Sequence, residues 1–241
     1  MNMIGINKMV RHVIEIIAKK IKGNDYILDD NIPITYLIVI SIQRISMLYR
    51  GKFASLGMMK CGRHLFVGKN VSLKCKGKIS VGSDVTIQEG VYIDALSKEG
   101  FTLGDGCSIG SRTIIRCSGN YKEIGKGFLM GKNSSLADNC FVGATGGVTI
   151  GNDVIGGQNI RFHSSNHNFE DTKLLIRKQG VTCKGIVIGN NCWIGAGVVF
   201  CDGVTIGDGC VVGANSVVTK SFPNNSVIVG NPAKTIRKRE E

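Results

Sequence analysis

Proline is scarce in this 241-residue chain, with three in all, and there is a single tryptophan, so no proline-rich linker runs through it. Nine cysteines are present, but their number is odd and no C-x-x-C pair occurs among them. That pattern excludes a regular disulfide framework and the usual zinc knuckles. Histidine is limited to four residues. The apolar run at residues 34–42 falls far short of the ~20 residues a membrane span needs. Acidic side chains are few as well, 18 against 30 Lys and Arg, which leaves a net charge of +12. Such a balance favours an anionic partner. Nucleic acid is not expected, because no recognition motif and no interleaving of aromatic and basic residues occurs. A phosphate-bearing cofactor or an anionic membrane surface fits the charge.

What the sequence has in quantity is glycine, 33 residues, set in a register. An aliphatic-glycine pair returns every six residues at Ile188-Gly189, Ile194-Gly195, Ile206-Gly207 and Val212-Gly213, with Phe200 in the aliphatic place between them. Upstream, the same pair is read at Val67-Gly68, Val81-Gly82, Leu103-Gly104, Ile109-Gly110, Ile124-Gly125, Met130-Gly131 and Ile150-Gly151. A fixed short period signals a solenoid. Each hexad supplies one short strand and one corner, the aliphatic residue pointing inward and the glycine allowing the turn. Three hexads close a triangular coil, and coils stack by parallel pairing at ~4.8 Å. A hairpin reading fails, since the Asp-Gly pairs at Asp105, Asp202 and Asp208 keep the hexad register. Cys107, Cys140, Cys192 and Cys210 fall four residues after an aliphatic hexad position, so they are expected to be small buried residues in a reducing compartment.

Departures from the 18-residue coil mark insertions. Leu103 to Ile124 is 21 residues, Ile124 to Ile150 is 26 and Ile150 to Ile188 is 38, the last exceeding one coil by 20 around residues 163–185. Insertions in repeat proteins project on a functional face. At residues 6–21, apolar positions recur at helical spacing and end at Gly23-Asn24-Asp25, without a signal-peptide core or cleavage site. A second helix is expected from Pro33 to about Tyr49, before Gly51. Residues 1–60 therefore read as a helical cap, with nine basic and four acidic side chains. Covering the open end of the solenoid is the plainer role of this pair, and peripheral membrane contact is the alternative. The solenoid is expected over residues 61–222, with a basic terminal segment over residues 223–241.

Several motifs coincide with this repeat: S-N-H-N-F in the extruded loop, N-N-C-W-I-G-A-G, G-A-N-S-V-V-T-K and V-G-N-P-A-K. In these the chain resembles the hexapeptide-repeat acyltransferases, above all sugar O-acetyltransferases of capsule and lipopolysaccharide clusters and the galactoside and maltose acetyltransferases. The resemblance implies a mainly β fold, a left-handed parallel β-helix. It implies a cytoplasmic homotrimer that transfers acetyl from acetyl-CoA directly to a sugar hydroxyl, without a metal. It places the catalytic histidine at His167 and an acceptor contact at Asn139. Trp193, Gly195 and Ala196 fall beside the thioester, Ala214 and Lys220 along the pantetheine and phosphates, and Lys234 and Arg237 near the nucleotide. Ala196 stands where some relatives have serine, and Lys234 where they have arginine.

The chemistry agrees with that placement. An alcohol is a weak nucleophile at neutral pH, and an imidazole of pKa ~6.5 suits the task of taking its proton. Backbone N–H groups at Gly195 and Ala196 can stabilise the oxyanion. Ser164, Ser165 and Cys183 read as loop residues, and His163, His12 and His64 as structural. Two rival functions remain on the same fold: a γ-type carbonic-anhydrase-like zinc enzyme, which needs a third ligand beside His163 and His167, and a non-catalytic scaffold.

Overall fold

The computed structural model describes residues 9, 11–16, 19 and 27–239. Its body is a three-sided parallel β-helix. The first face runs from Lys60–Cys61 through Val148–Ile150 and Ile186–Ile188 to Thr205–Ile206, and the third from Ser72–Lys74 through Arg161–His163 to Val217–Val218. The second runs from Phe66–Val67 through Trp193–Ile194 to Val211–Val212. It is then extended by Ser226–Gly230 and, antiparallel, by Ala233–Lys238. All other pairings between neighbouring coils are parallel, and residues in register, such as Ile150 and Ile188, form inward ladders that are almost completely buried. Phe162 and Phe200 stack within the prism at 5.0 Å between ring centroids. Burial of each such side chain contributes ~1.5–3 kcal/mol.

The glycine of each pair has a different use from the one the sequence suggested. At Gly151 a Cβ would lie 2.7 Å from the backbone of Gly189 in the next coil, so this glycine permits coil stacking. The turn itself is made two residues later by Asp153, and by Asn191 in the next coil, with φ of 57° and 52°. That left-handed conformation favours Asn, Asp and Gly. Neighbouring Asx side chains then tie coil to coil: Asn190 Oδ1 accepts the Asn152 N–H at 2.8 Å, and Asp208 Oδ1 accepts the Asn190 N–H at 2.6 Å. The four cysteines named above are buried in the same corners, where Cys107 Sγ donates to the Gly131 carbonyl at 2.8 Å.

Two sequence expectations need correction. Ile124-Gly125 is not a hexad pair: Leu103 is in register with Met130, 27 residues on, and Met130 with Ile150, 20 residues on. Gly125 instead lies in an insertion between faces, where its N–H donates to Ser118 Oγ and a Cβ would strike the Cys117 carbonyl. The first strand of the solenoid, Lys60–Cys61, precedes the first aliphatic-glycine pair at Val67-Gly68. After Lys220, pairing continues through the Ile206–Phe222 bridge and the two C-terminal strands. Finally, the second helix spans Ile34–Ser55 and passes straight through Gly51, because that glycine lets the helix press on the Leu65 carbonyl. Arg44 lies over the Phe66 ring at 3.8 Å and Arg50 Nε donates to the Val67 carbonyl at 2.8 Å, which fixes the helix on the first coil. Of the first helix, Met9, Arg11 to Ile16 and Lys19 are helical, while its expected stop at Gly23-Asn24-Asp25 lies outside the described residues.

Gly151→Ala should therefore destabilise the fold by ~1–3 kcal/mol, the cost of forcing a methyl into a packed contact. Gly77→Ala, where nothing lies within 4 Å of the new Cβ, should stay within ~0.5 kcal/mol of the parent. Thermal melts of the two variants check both values, and equal melting temperatures would remove close stacking as the reason for the repeat glycine.

Candidate functional site

The long insertion leaves the third face after His163 and returns to the first at Ile186. Its departure is clamped by Ser164, whose buried hydroxyl donates to the Gly143 carbonyl at 2.7 Å and accepts the Gly146 N–H at 2.9 Å. Its return is clamped by Asp202, which accepts the N–H groups of Lys184 and Gly185 at 2.9 and 2.8 Å. Between these clamps Asn166–His167 pairs antiparallel with Val181–Thr182. Asn168 braces the pairing through Thr182 Oγ1 at 2.6 Å and the Gln179 carbonyl at 3.1 Å. The backbone under His167 is thus fixed while its imidazole is exposed. Cys183 is exposed too, but desolvation, and after it the carboxylates of Asp202 and Glu123, push its thiol up and away from the reactive thiolate.

The other sequence-identified residues divide between two edges of the prism. Trp193 points outward from the second face, 58% exposed, beside Ile155 and Val211 in register. Gly195 and Ala196 follow it at the corner leading to the third face, and Ala214 occupies the same corner one coil later. Asn139 lies on this edge two coils below, where Arg112 Nε donates to its Oδ1 at 2.9 Å and leaves the Nδ2 group free to donate. Lys234 and Arg237 sit exposed on the last strand of the second face. Lys220 is at the opposite edge, following the third face, and this is also the edge from which the His167 loop leaves. Within one chain, then, the loop that carries His167 and the group around Ala196 belong to opposite sides of the third face.

Backbone donors at the Ala196 edge are not equivalent. The Gly195 N–H is already committed to the Val212 carbonyl at 2.7 Å. The Ala196 N–H has no acceptor among the described residues. Gly157, one coil below, keeps this amide uncovered, since a Cβ there would sit 2.7 Å from it. Sequence reasoning missed Gly157, and it missed the outward side of the third face. There His163 packs on Phe141 at 5.6 Å, with Arg161 two residues before it on the same side. Desolvation, assisted by the positive charge of Arg161, holds the His163 pKa below the usual imidazole value. The out-in-out alternation of Arg161, Phe162 and His163 was the available signal. Ser165 is half-buried in the loop, His64 Nδ1 lies 2.8 Å from Asp84 Oδ1, and His12 is exposed. Among the described residues, no three His, Cys, Asp or Glu side chains converge as a metal site.

Known proteins give this arrangement a context. Residues 185–220 match the bacterial transferase hexapeptide (six repeats) family and residues 62–95 the hexapeptide repeat of succinyl-transferase. The galactoside O-acetyltransferase of Escherichia coli is 35% identical over 146 residues, which cover 60% of this chain and 67% of that protein. This chain belongs to the hexapeptide-repeat acyltransferase family. A Dictyostelium discoideum protein is 45% identical over 91 residues, 37% of this chain; the match spans about half of that relative, 46% of its length. The structure of AntD, an N-acyltransferase from Bacillus cereus in complex with dTDP and 3-hydroxybutyryl-CoA, has a TM-score of 0.54 at 19% identity, covering 79% of this chain and 88% of that one. That likeness concerns the fold, the left-handed parallel β-helix of hexapeptide-repeat acyltransferases.

Because the His163 pKa is lowered chiefly by burial, Arg161→Ala should raise it only partway toward ~6.5. An NMR titration of the His163 ring protons measures this, and an unchanged or lower value would show that Arg161 does not act on it. The sign for stability follows: a histidine harder to protonate when folded takes stability away as pH falls below ~6.5 toward its lowered value.

Proposed function

We propose that this chain is an acetyl-CoA-dependent O-acetyltransferase acting on a sugar hydroxyl, with His167 as general base. The observation that carries the reading is the setting of His167, an exposed imidazole on backbone braced by strand pairing and by Asn168. In the reaction the imidazole takes the hydroxyl proton as the acceptor oxygen attacks the thioester carbon. Collapse of the tetrahedral intermediate expels the thiolate, which receives the proton from the imidazolium. General-base assistance of this kind contributes ~10²- to 10⁴-fold. The free Ala196 N–H is the donor for the oxyanion, Trp193 and Gly195 line the thioester, and Ala214 follows the pantetheine. Lys220, Lys234 and Arg237 meet the phosphates. Asn139 offers Nδ2 to the acceptor, because Arg112 already holds its Oδ1. A precursor of a surface polysaccharide, acetylated in the cytoplasm, fits this donor and acceptor.

Since the His167 loop and Ala196 belong to opposite edges of one prism, the reading requires a site shared between copies. A homotrimer meets that need, as cyclic symmetry repeats one contact three times and closes. The loop carries Phe169, Leu174, Leu175 and Ile176, exposed by 63, 52, 63 and 55%, and these supply an apolar surface for a neighbouring copy. In the trimer Lys220 and the Ala196 group serve a given cofactor from different copies.

His167→Ala should lower acetyl transfer by ~10²- to 10⁴-fold while acetyl-CoA binds as before; thiol release with a panel of sugar acceptors, followed by NMR of the product, measures both rate and position of acetylation. Turnover above about a tenth of the parent would overturn the base assignment. Chains carrying His167→Ala, mixed with chains carrying Lys234→Ala and Arg237→Ala, should recover activity that neither shows alone. Light scattering that finds an active monomer would rule the shared site out.

A further inference from the structure

We propose that the N-terminal end of the solenoid docks on an anionic lipid bilayer. The inference stands apart from acyl transfer and rests on the surface of the helix Ile34–Ser55 and of the first coil. Among the described residues no helix is long and apolar enough to cross a membrane, so the contact is peripheral.

The helix buries only Leu37, Met47 and Gly51, the last against Leu65 of the first coil. A second side, bordering the first coil at Ile45 and Tyr49, carries Ile38, Ile42, Ile45, Tyr49 and Phe53, exposed by 41, 59, 53, 63 and 72%. Their spacing of three and four residues puts all five in one stripe along the helix. Bases outnumber acids around the stripe. Residues 31–83 contain nine Lys and Arg and no Asp or Glu, in a chain with 18 acids. Lys52, Lys60, Arg63, Lys69 and Lys74 among them are exposed. Stripe and bases adjoin, because a hollow of about 520 Å³ between the helix and the first coil is lined by Ile45, Tyr49, Lys52, Arg63 and His64. The first acid beyond this stretch, Asp84, is bonded to His64.

An apolar stripe alone suits a second copy of the chain as well as it suits lipid. The surrounding charge decides between them. Two identical surfaces with this excess of bases repel each other, whereas lipid phosphates attract the bases. Side chains such as Ile42 and Phe53 enter the boundary between headgroups and acyl chains, and the lysines and arginines reach the phosphates. Each base near the surface is worth roughly fivefold in affinity and is screened by salt.

Sedimentation of the full chain with vesicles tests the proposal. The chain should pellet with phosphatidylcholine mixed with phosphatidylglycerol, should not pellet with phosphatidylcholine alone, and should be released at high salt. Ile42→Glu with Tyr49→Glu should weaken binding by more than about tenfold. The triple variant Lys60→Glu, Arg63→Glu, Lys69→Glu, on the solenoid, should abolish binding with an unchanged melting temperature. Equal pelleting with both vesicle types, or none with either, overturns the proposal. So does a stripe variant that keeps vesicle binding but alters the mass seen by light scattering, which would assign the stripe to a second copy.

Discussion

Everything in this molecule depends on one coil lying directly on the next at the ~4.8 Å spacing of paired strands. At that distance the corners that follow the first face leave no room for a side chain at their start, which is why Gly151 faces the backbone of Gly189 with no room for a Cβ. The turn residues that follow must accept positive φ, and their neighbours' side-chain oxygens cap the N–H groups that strand pairing leaves over, as Asn190 does for Asn152. Aliphatic side chains are then stacked in register inside, so the core is built by repetition and gains stability coil by coil.

Such regularity confines chemistry to what the stacking does not consume. Gly195 spends its N–H on the coil above, whereas Ala196 keeps its own. Side chains on the outside of a face, such as Trp193 and Arg161, are held by rigid backbone yet open to a ligand. Insertions supply the rest. The loop that carries His167 is tied at both ends, by Ser164 and Asp202, and stiffened in the middle by Asn168. It therefore presents the imidazole at a defined place without burying it.

The N-terminal helix follows a different rule. Only three of its residues are buried, so packing on the first coil accounts for one side of it and leaves the other side, apolar and flanked by bases, to a further surface. Its passage through Gly51 shows that a glycine in a helical pattern can mark close approach to a neighbour as readily as an end.

The sequence by itself determined the fold class, because an aliphatic-glycine pair at a six-residue period has no other way to bury its apolar side chains than a stacked three-sided coil. It also located the extruded loop that carries His167, which the structure shows leaving the third face after His163. It misread Ile124-Gly125, since spacing alone cannot separate a glycine under the next coil from one pressed against an insertion's own carbonyl, as Gly125 is against Cys117. Only the tertiary structure decided which residues share an edge. The six-residue period runs through all three faces alike, so the period by itself does not say that Lys220 stands on the side from which the His167 loop leaves while Asn139 stands on the side of Ala196. The same holds for the donors: Gly195 and Ala196 are neighbours in sequence, and the coil above, which takes one N–H and leaves the other, is what tells them apart.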